Sequence, residues 1–155
     1  MTEITVRISD GRTSDIDAIA KLEKQCFQVP WSWKSIAEEI TGNDSARFYI
    51  AEVGGVFAGC ASCWHVVPYE CQLGNVAVSP QFRRMGVART LLTRLIEDAE
   101  KQGLLDITLE VRVSNAPAIA LYESLAFERE GVRKGYYEGK EDAVIMWRRE
   151  KLKTR

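Results

Sequence analysis

Apolar and polar residues alternate through Ile4, Val6 and Ile8, the two-residue period of a half-buried strand. The period then lengthens. Ile16, Ile19, Ala20, Glu23, Cys26 and Phe27 keep mostly to one helical stripe, with Ser14 or Asp15 placed to cap it. Pro30-Trp31-Ser32-Trp33 predicts a loop whose Ser32 caps a brief helix to Ile40, its tryptophans reading by default as core. Alternation returns where Phe48, Ile50 and Glu52 face away from Tyr49, Ala51 and Val53. Gly54-Gly55 supplies the positive backbone angles of a tight hairpin, and Val56 to Val67 is the return strand. After a turn at Pro68-Tyr69-Glu70, a strand from Cys71 to Val78 is stopped by Ser79-Pro80, since proline has no amide hydrogen to donate.

A long helical stripe follows at Ala88, Leu91, Leu92, Leu95 and Ala99, starting near Gly86 or Val87 and closed by Lys101 and Gly103. Ile107, Leu109 and Val111 mark a strand from Asp106 to Arg112, parallel to the one ending at Val78 because a helix crosses between them. Asn115-Ala116-Pro117 opens another helix carrying Ile119, Ala120, Tyr122 and Leu125. Phe127 to Lys134 and Asp142 to Arg148 read as closing antiparallel strands joined across Gly135 to Gly139. The expected fold is mixed α/β, a central sheet of about seven strands flanked by about four helices.

The 155 residues suit one domain, 1–155, with a basic tail from about Arg148 that reads as a solvated terminus. An apolar fraction of 46% and a formal net charge of -1 describe an ordinary soluble protein without a global pull on nucleic acid. Apolar runs are broken well before membrane-spanning length and the start lacks a signal pattern, so a cytoplasmic protein is expected, binding neither membrane nor nucleic acid directly. Its four cysteines should be reduced, because a chain with this core does not need disulfides. Cys60 and Cys63 form a C-x-x-C within a strand, where residues three apart face opposite ways. His65, the single histidine, has no carboxylate or thiol partner implied by spacing. No metal is expected.

The junction at Asn75 to Gln102 carries the chemistry. A helix beginning at Gly86 or Val87 leaves its first amides without intrahelical partners and adds partial positive charge there. Arg83-Arg84-Met85-Gly86-Val87-Ala88 fits R-x-x-G-x-A, in which Gly86 and the small Ala88 let a diphosphate approach the backbone. Neither G-x-G-x-x-G nor G-K-[ST] occurs, which excludes the dinucleotide and nucleoside-triphosphate loops.

This element order and loop resemble the GNAT acetyltransferase family over nearly the whole chain. Leu109-Glu110-Val111-Arg112, Ser114-Asn115 and Ala118-Ile119-Ala120-Leu121-Tyr122-Glu123-Ser124-Leu125-Ala126-Phe127 look like its RimI branch, the ribosomal-protein alanine N-acetyltransferases. Pro30-Trp31-Ser32, Arg133-Lys134-Gly135-Tyr136-Tyr137 and Glu141-Asp142-Ala143 are similar to that branch as well. The resemblance implies acetyl-CoA as cosubstrate, its pyrophosphate on the amides of Arg84, Met85, Gly86, Val87, Ala88 and Arg89. It places the pantetheine and thioester along Val76, Ala77 and Val78, with Asn115 further along the arm. Glu110 matches the general base and Tyr122 the general acid. The implied acceptor is a protein N-terminus, that of the eighteenth small-subunit ribosomal protein. Two departures stand out: Ala88 replaces a more common Gly, and Ala126 replaces the Gly usual before Phe127, where a left-handed residue costs a side chain about 1 kcal/mol.

The acceptor type fits the chemistry. An α-amine of pKa near 7.8 is roughly 14% neutral at pH 7 and a lysine roughly 0.04%, which places the α-amine about 3.5 kcal/mol ahead. One carboxylate then suffices as base, directly or through water. Cys60, Cys63 and Cys71 precede the cofactor strand without a histidine to activate them, so direct attack by the amine is expected. Acetylation of a lysine or a small amine, and a non-catalytic acyl-CoA-binding or ribosome-associated module, are the competing readings.

Overall fold

The structure, a computed structural model, describes residues 3–66 and 68–149. Val67 and residues 150–155, with most of the basic tail, lie outside them. One sheet carries β1 (Ile4–Ile8), β2 (Ala46–Val53), β3 (Val56–Val66), β4 (Glu70–Val78), β5 (Asp106–Arg112), β6 (Glu128–Tyr137) and β7 (Glu141–Arg149), in the order β1-β2-β3-β4-β5-β7-β6. The helices are α1 (Thr13–Cys26), α2 (Trp33–Gly42), α3 (Val87–Lys101) and α4 (Ala116–Ser124). Among the described residues only β4 and β5 pair in parallel, as the crossover through α3 requires. The alternation along β2 and β3 divides the core in two. Tyr49, Ala51, Ala61 and Cys63 pack with α3 on one face, while Phe48, Ile50 and Cys60 pack with α1 and α2 on the other. The C-x-x-C is therefore split across the sheet.

Between β3 and β4 the register slips. Ala61 pairs with Val76 and Cys63 with Leu73, so Ser62 alone opposes Gly74 and Asn75. Such a bulge bends a strand and increases its twist. The Ser62 hydroxyl accepts a hydrogen bond from the Asn75 amide at 3.1 Å. A Cβ on Gly74 would come within 2.6 Å of both the Ser62 Oγ and the Trp64 ring, so only glycine fits. Pairing of β4 with β5 is confined to Glu70↔Asp106, Cys71↔Ile107 and Gln72↔Thr108, just before the bulge. Beyond that point the two parallel strands part.

Three local expectations change. The α1 cap is Arg12, without a side-chain bond, because Asp15 is drawn inward by Arg7 at 3.1 and 2.6 Å and by the Ser9 hydroxyl at 3.0 Å. The Arg7 guanidinium holds the Asp15 carboxyl at about 2, below its usual range. The β6–β7 strands run longer than expected, because Gly135 (φ 62) is absorbed as an irregularity within β6 and the turn falls on Glu138 (φ 54) and Gly139 (φ 70). Trp31 packs edge-on against Phe48 and Trp64 as a core residue, whereas Trp33 is 45% exposed and donates to Asp17 at 2.7 Å.

Helix α4 ends in a Schellman arrangement. The Phe127 amide donates to Tyr122 O at 3.0 Å and the Ala126 amide to Glu123 O at 3.1 Å. The Tyr122 and Phe127 rings meet edge-to-face at 5.7 Å. Ala126 adopts φ 73, so the turn forms as a glycine would form it, with the strain of a side chain in place. Ala126→Gly is expected to stabilise the protein by about 1 kcal/mol, read as a rise of about 2–4 °C in melting temperature.

Candidate active site

Where β4 leaves β5, a cleft of about 430 Å³ opens, walled by Val76, Ala77 and Val78, floored by the start of α3 and reaching Asn115 and Leu121 on α4. Its position, outside the carboxyl ends of parallel strands that have parted, is where open α/β sheets take ligands. On one side Val76, Ala77 and Val78 pair with Ala61, Cys60 and Gly59, while the edge toward β5 carries no ladder partner. That free edge can pair with an extended amide-bearing chain.

The α3 end of the cleft is built for an anion. Gly86 caps the helix at φ 82 with no side-chain bond, and the first intrahelical bond runs from the Thr90 amide to Gly86 O at 3.0 Å. The amides of Val87, Ala88 and Arg89 thus lack intrahelical acceptors and point outward with the positive end of the dipole. A Cβ built at Gly86 would meet nothing within 4 Å, so the approach is open. Arg83, Arg84 and Arg89 line the same end. Arg83 is held by Val78 O at 3.2 Å and Arg89 by the Ser124 hydroxyl at 2.9 Å. Arg84 takes φ 64, which a side chain seldom adopts. Free amides, guanidinium charge and open space fit a diphosphate.

Of the ten residues expected at the cofactor, nine line this one cleft: Val76, Ala77, Val78, Arg84, Gly86, Val87, Ala88, Arg89 and Asn115. Met85 does not, its side chain being 44% exposed on the loop. Asn115 spends its carbonyl oxygen on capping α4, accepting from the Ala118 amide at 3.3 Å. Arg83, which opens the R-x-x-G-x-A motif, completes the lining with Cys26, Phe27, Phe82 and Leu121, for which the sequence implies no contact with the cofactor.

Glu110 and Tyr122 are not among the cleft-lining residues. Glu110 stands on β5, two positions beyond the last β4–β5 pair, and its buried Oε2 accepts no hydrogen bond among the described residues. Arg133 Nε lies 3.3 Å from that oxygen, close enough for ionic attraction but without hydrogen-bond geometry. Burial and then the neighbouring Tyr137 push the Tyr122 hydroxyl up to about 12. Burial, Tyr136 and then Glu110 raise Tyr137 to about 12 as well. The position of Tyr137 follows from β6 running on to that residue rather than stopping at Lys134.

A second tie joins the cleft to the Trp31 loop. Glu23, 4% exposed on α1, accepts from the Trp31 amide at 2.9 Å and from the Asn75 side-chain amide at 2.9 Å. Burial raises its pKa, against the opposing effect of these two bonds. The bulge residue and the loop are thereby held by one carboxylate. Gly74 inside a strand pattern was the available signal for the bulge, while nothing in the spacing of Glu23, Trp31 and Asn75 announces their meeting.

A model of the acetyltransferase (GNAT) family matches residues 16–127, and the chain belongs to that family. It is therefore an acetyl-CoA-dependent N-acetyltransferase. Among curated relatives, the [ribosomal protein bS18]-alanine N-acetyltransferase of Escherichia coli K12 is 41% identical over 142 residues, covering 90% of this chain and 94% of that one. The crystal structure of the ribosomal-protein-S18-alanine N-acetyltransferase from Escherichia coli superposes with a TM-score of 0.84 at 36% identity, covering 97% of each chain. Ard1 from Thermoplasma volcanium gives 0.85 at 25% identity, covering 96% of this chain and 99% of that one. Among the described residues no helix is long and apolar enough to cross a membrane.

Glu23→Ala leaves the Trp31 amide and the Asn75 side chain without their acceptor. It should cost about 2–4 kcal/mol in urea unfolding, and Glu23→Gln, which keeps an acceptor, distinctly less.

Proposed function

We propose that this protein acetylates the N-terminal alanine of ribosomal protein bS18 in the cytoplasm, with acetyl-CoA in the β4–α3 cleft, Glu110 as base and Tyr122 as acid. The observation that carries the acceptor is the 41% identity to the E. coli bS18-alanine enzyme over 90% of the chain. The cleft supports the donor. Amides of Arg84 to Arg89 with the nearby guanidinium groups take the pyrophosphate, the free edge of Val76 to Val78 takes the pantetheine arm, and Asn115 borders it further on. Acetyl-CoA supplies a thioester carbonyl activated toward amines.

The chain's own groups then move the protons. The α-ammonium first gives one proton to solvent. Glu110, with an oxygen free to accept, then removes the second as the nitrogen attacks, directly or through one water. As the nitrogen–carbon bond forms and the carbon–sulfur bond breaks, Tyr122 gives its proton to the departing sulfur. Its hydroxyl, raised to about 12, remains protonated throughout the range in which an α-amine of pKa about 7.8 loses its charge. A thiolate whose conjugate acid lies near 8.5 is a weaker base than the tyrosinate, and the mismatch is moderated only by the simultaneous collapse of the tetrahedral carbon. The tyrosinate formed at Tyr122 regains a proton from solvent as Glu110 releases its own. The reaction uses no metal and no acetyl-enzyme.

Three outcomes test this. Glu110→Gln and Tyr122→Phe should each lower kcat by about 10²–10⁴-fold while leaving acetyl-CoA affinity nearly unchanged by calorimetry. With an Ala-start bS18 peptide, kcat/KM should climb through about pH 7.8 and stay level to about pH 10, since Tyr122 does not ionise there. Blocking that peptide's α-amine should abolish transfer; equal transfer to the blocked peptide would assign the acceptor to lysine instead.

A further inference from the structure

A group of soft ligands lies on the α3 face of the sheet, outside everything the acetyl-transfer reading uses. Cys63 and His65 are two apart on β3 and so share a face, and Cys71 lies directly across from His65 in the β3–β4 ladder. Their ligating atoms all fall within 4.8 Å of one another. Spacing along the chain conceals this, because the return of β4 brings Cys71 back beside His65. The two thiols are 1% and 0% exposed, whereas His65 is half-buried and opens the group toward the surface.

We propose that Cys63, His65 and Cys71 bind a thiophilic divalent d¹⁰ cation of the zinc class, leaving a fourth position open. Tetrahedral coordination with metal–sulfur bonds of about 2.3 Å and metal–nitrogen bonds of about 2.0 Å separates the ligand atoms by roughly 3.5–3.8 Å. Side-chain adjustment of about 1 Å, with no change of register, brings the three within that range. Charge also balances. Each thiol gives up a proton to solvent as its sulfur–metal bond forms, so two thiolates cancel the dication and the buried face stays neutral. The imidazole in its neutral form adds a lone pair without a proton change.

The surroundings define the competition. The Cys71 side chain and burial both hold the Cys63 thiol far above its usual range. Arg47 opposes a cation, while Asp98, which accepts from the Tyr49 hydroxyl at 3.0 Å and is paired with Arg94 at 3.1 Å, favours one. Two protons leave per metal, so affinity must rise with pH. Cys71 sits beside Gln72, the last β4 residue paired to β5, and the ion would clip the hairpin where the splay begins.

The test is titration of the reduced, chelator-stripped full chain with Co²⁺ followed by Zn²⁺. We expect a 1:1 complex with thiolate-to-cobalt charge-transfer absorption of two sulfurs, displaced by Zn²⁺, and a Zn²⁺-dependent rise in melting temperature. Cys71→Ala should halve the absorption per cobalt and weaken binding more than about 100-fold, and His65→Gln should keep both sulfur bands but weaken binding about 10–100-fold. Cys60→Ala, on the opposite face, should change neither. Absence of sulfur bands in the wild-type chain with excess metal overturns the proposal, as do undiminished bands in Cys71→Ala. Should Cys71→Ala fail to fold, unchanged affinity in the half-buried His65→Gln variant overturns it equally.

Discussion

A single hydrogen bond across a bulge organises this protein: the Ser62 hydroxyl accepting from the Asn75 amide, with Gly74 beside it too crowded for any side chain. Without the extra residue in β4, the β4–β5 ladder would have no reason to stop at Gln72↔Thr108. With it, β4 turns away, one edge of Val76 to Val78 is left without a strand partner, and the loop to α3 is delivered beside that edge, where Arg83 donates to Val78 O. Unpaired backbone is costly when buried, so the arrangement is stable only because the edge faces a cleft rather than the core. A site for an extended ligand is thus a consequence of sheet geometry before any side chain is considered.

Two sources of positive potential then give the cleft its sign. One is permanent and directional, the free amides after Gly86; the other is the group of arginines at positions 83, 84 and 89. Glu110 and Tyr122 belong to a different neighbourhood, bounded by β5, α4 and β6, outside the lining of the cleft. The Schellman turn at Ala126 and Phe127 anchors the backbone of Tyr122, and Glu23 anchors the bulge to the Trp31 loop.

Periodicity made the element order and the parallel β4–β5 pair readable from the chain, because burial on a sheet face and a helix stripe leave direct traces in the sequence. The loop before α3 is readable too, since its open helix start depends on backbone and on a glycine whose position is visible. Side-chain meetings between distant segments leave no such trace. Glu23 with Trp31 and Asn75, Asp15 turned inward instead of capping α1, and His65 beside two thiols all depend on how elements pack. The β6–β7 turn was misplaced for a related reason: Gly135 looks like a turn residue, yet the ladder absorbs it as an irregularity. The roles expected of Glu110 and Tyr122 rest on family likeness, and composition alone would leave them as a strand charge and a core aromatic.

Amide hydrogen exchange with and without acetyl-CoA tests the central claim most directly. Pairing of the cosubstrate with the free β4 edge and the α3 amides predicts slowed exchange at Val76 and Val78, whose amides point away from β3, and at Gly86 to Arg89, with Ala77, β1 and β2 unchanged. Saturating acetyl-CoA that leaves both segments exchanging at their free rates would contradict the account.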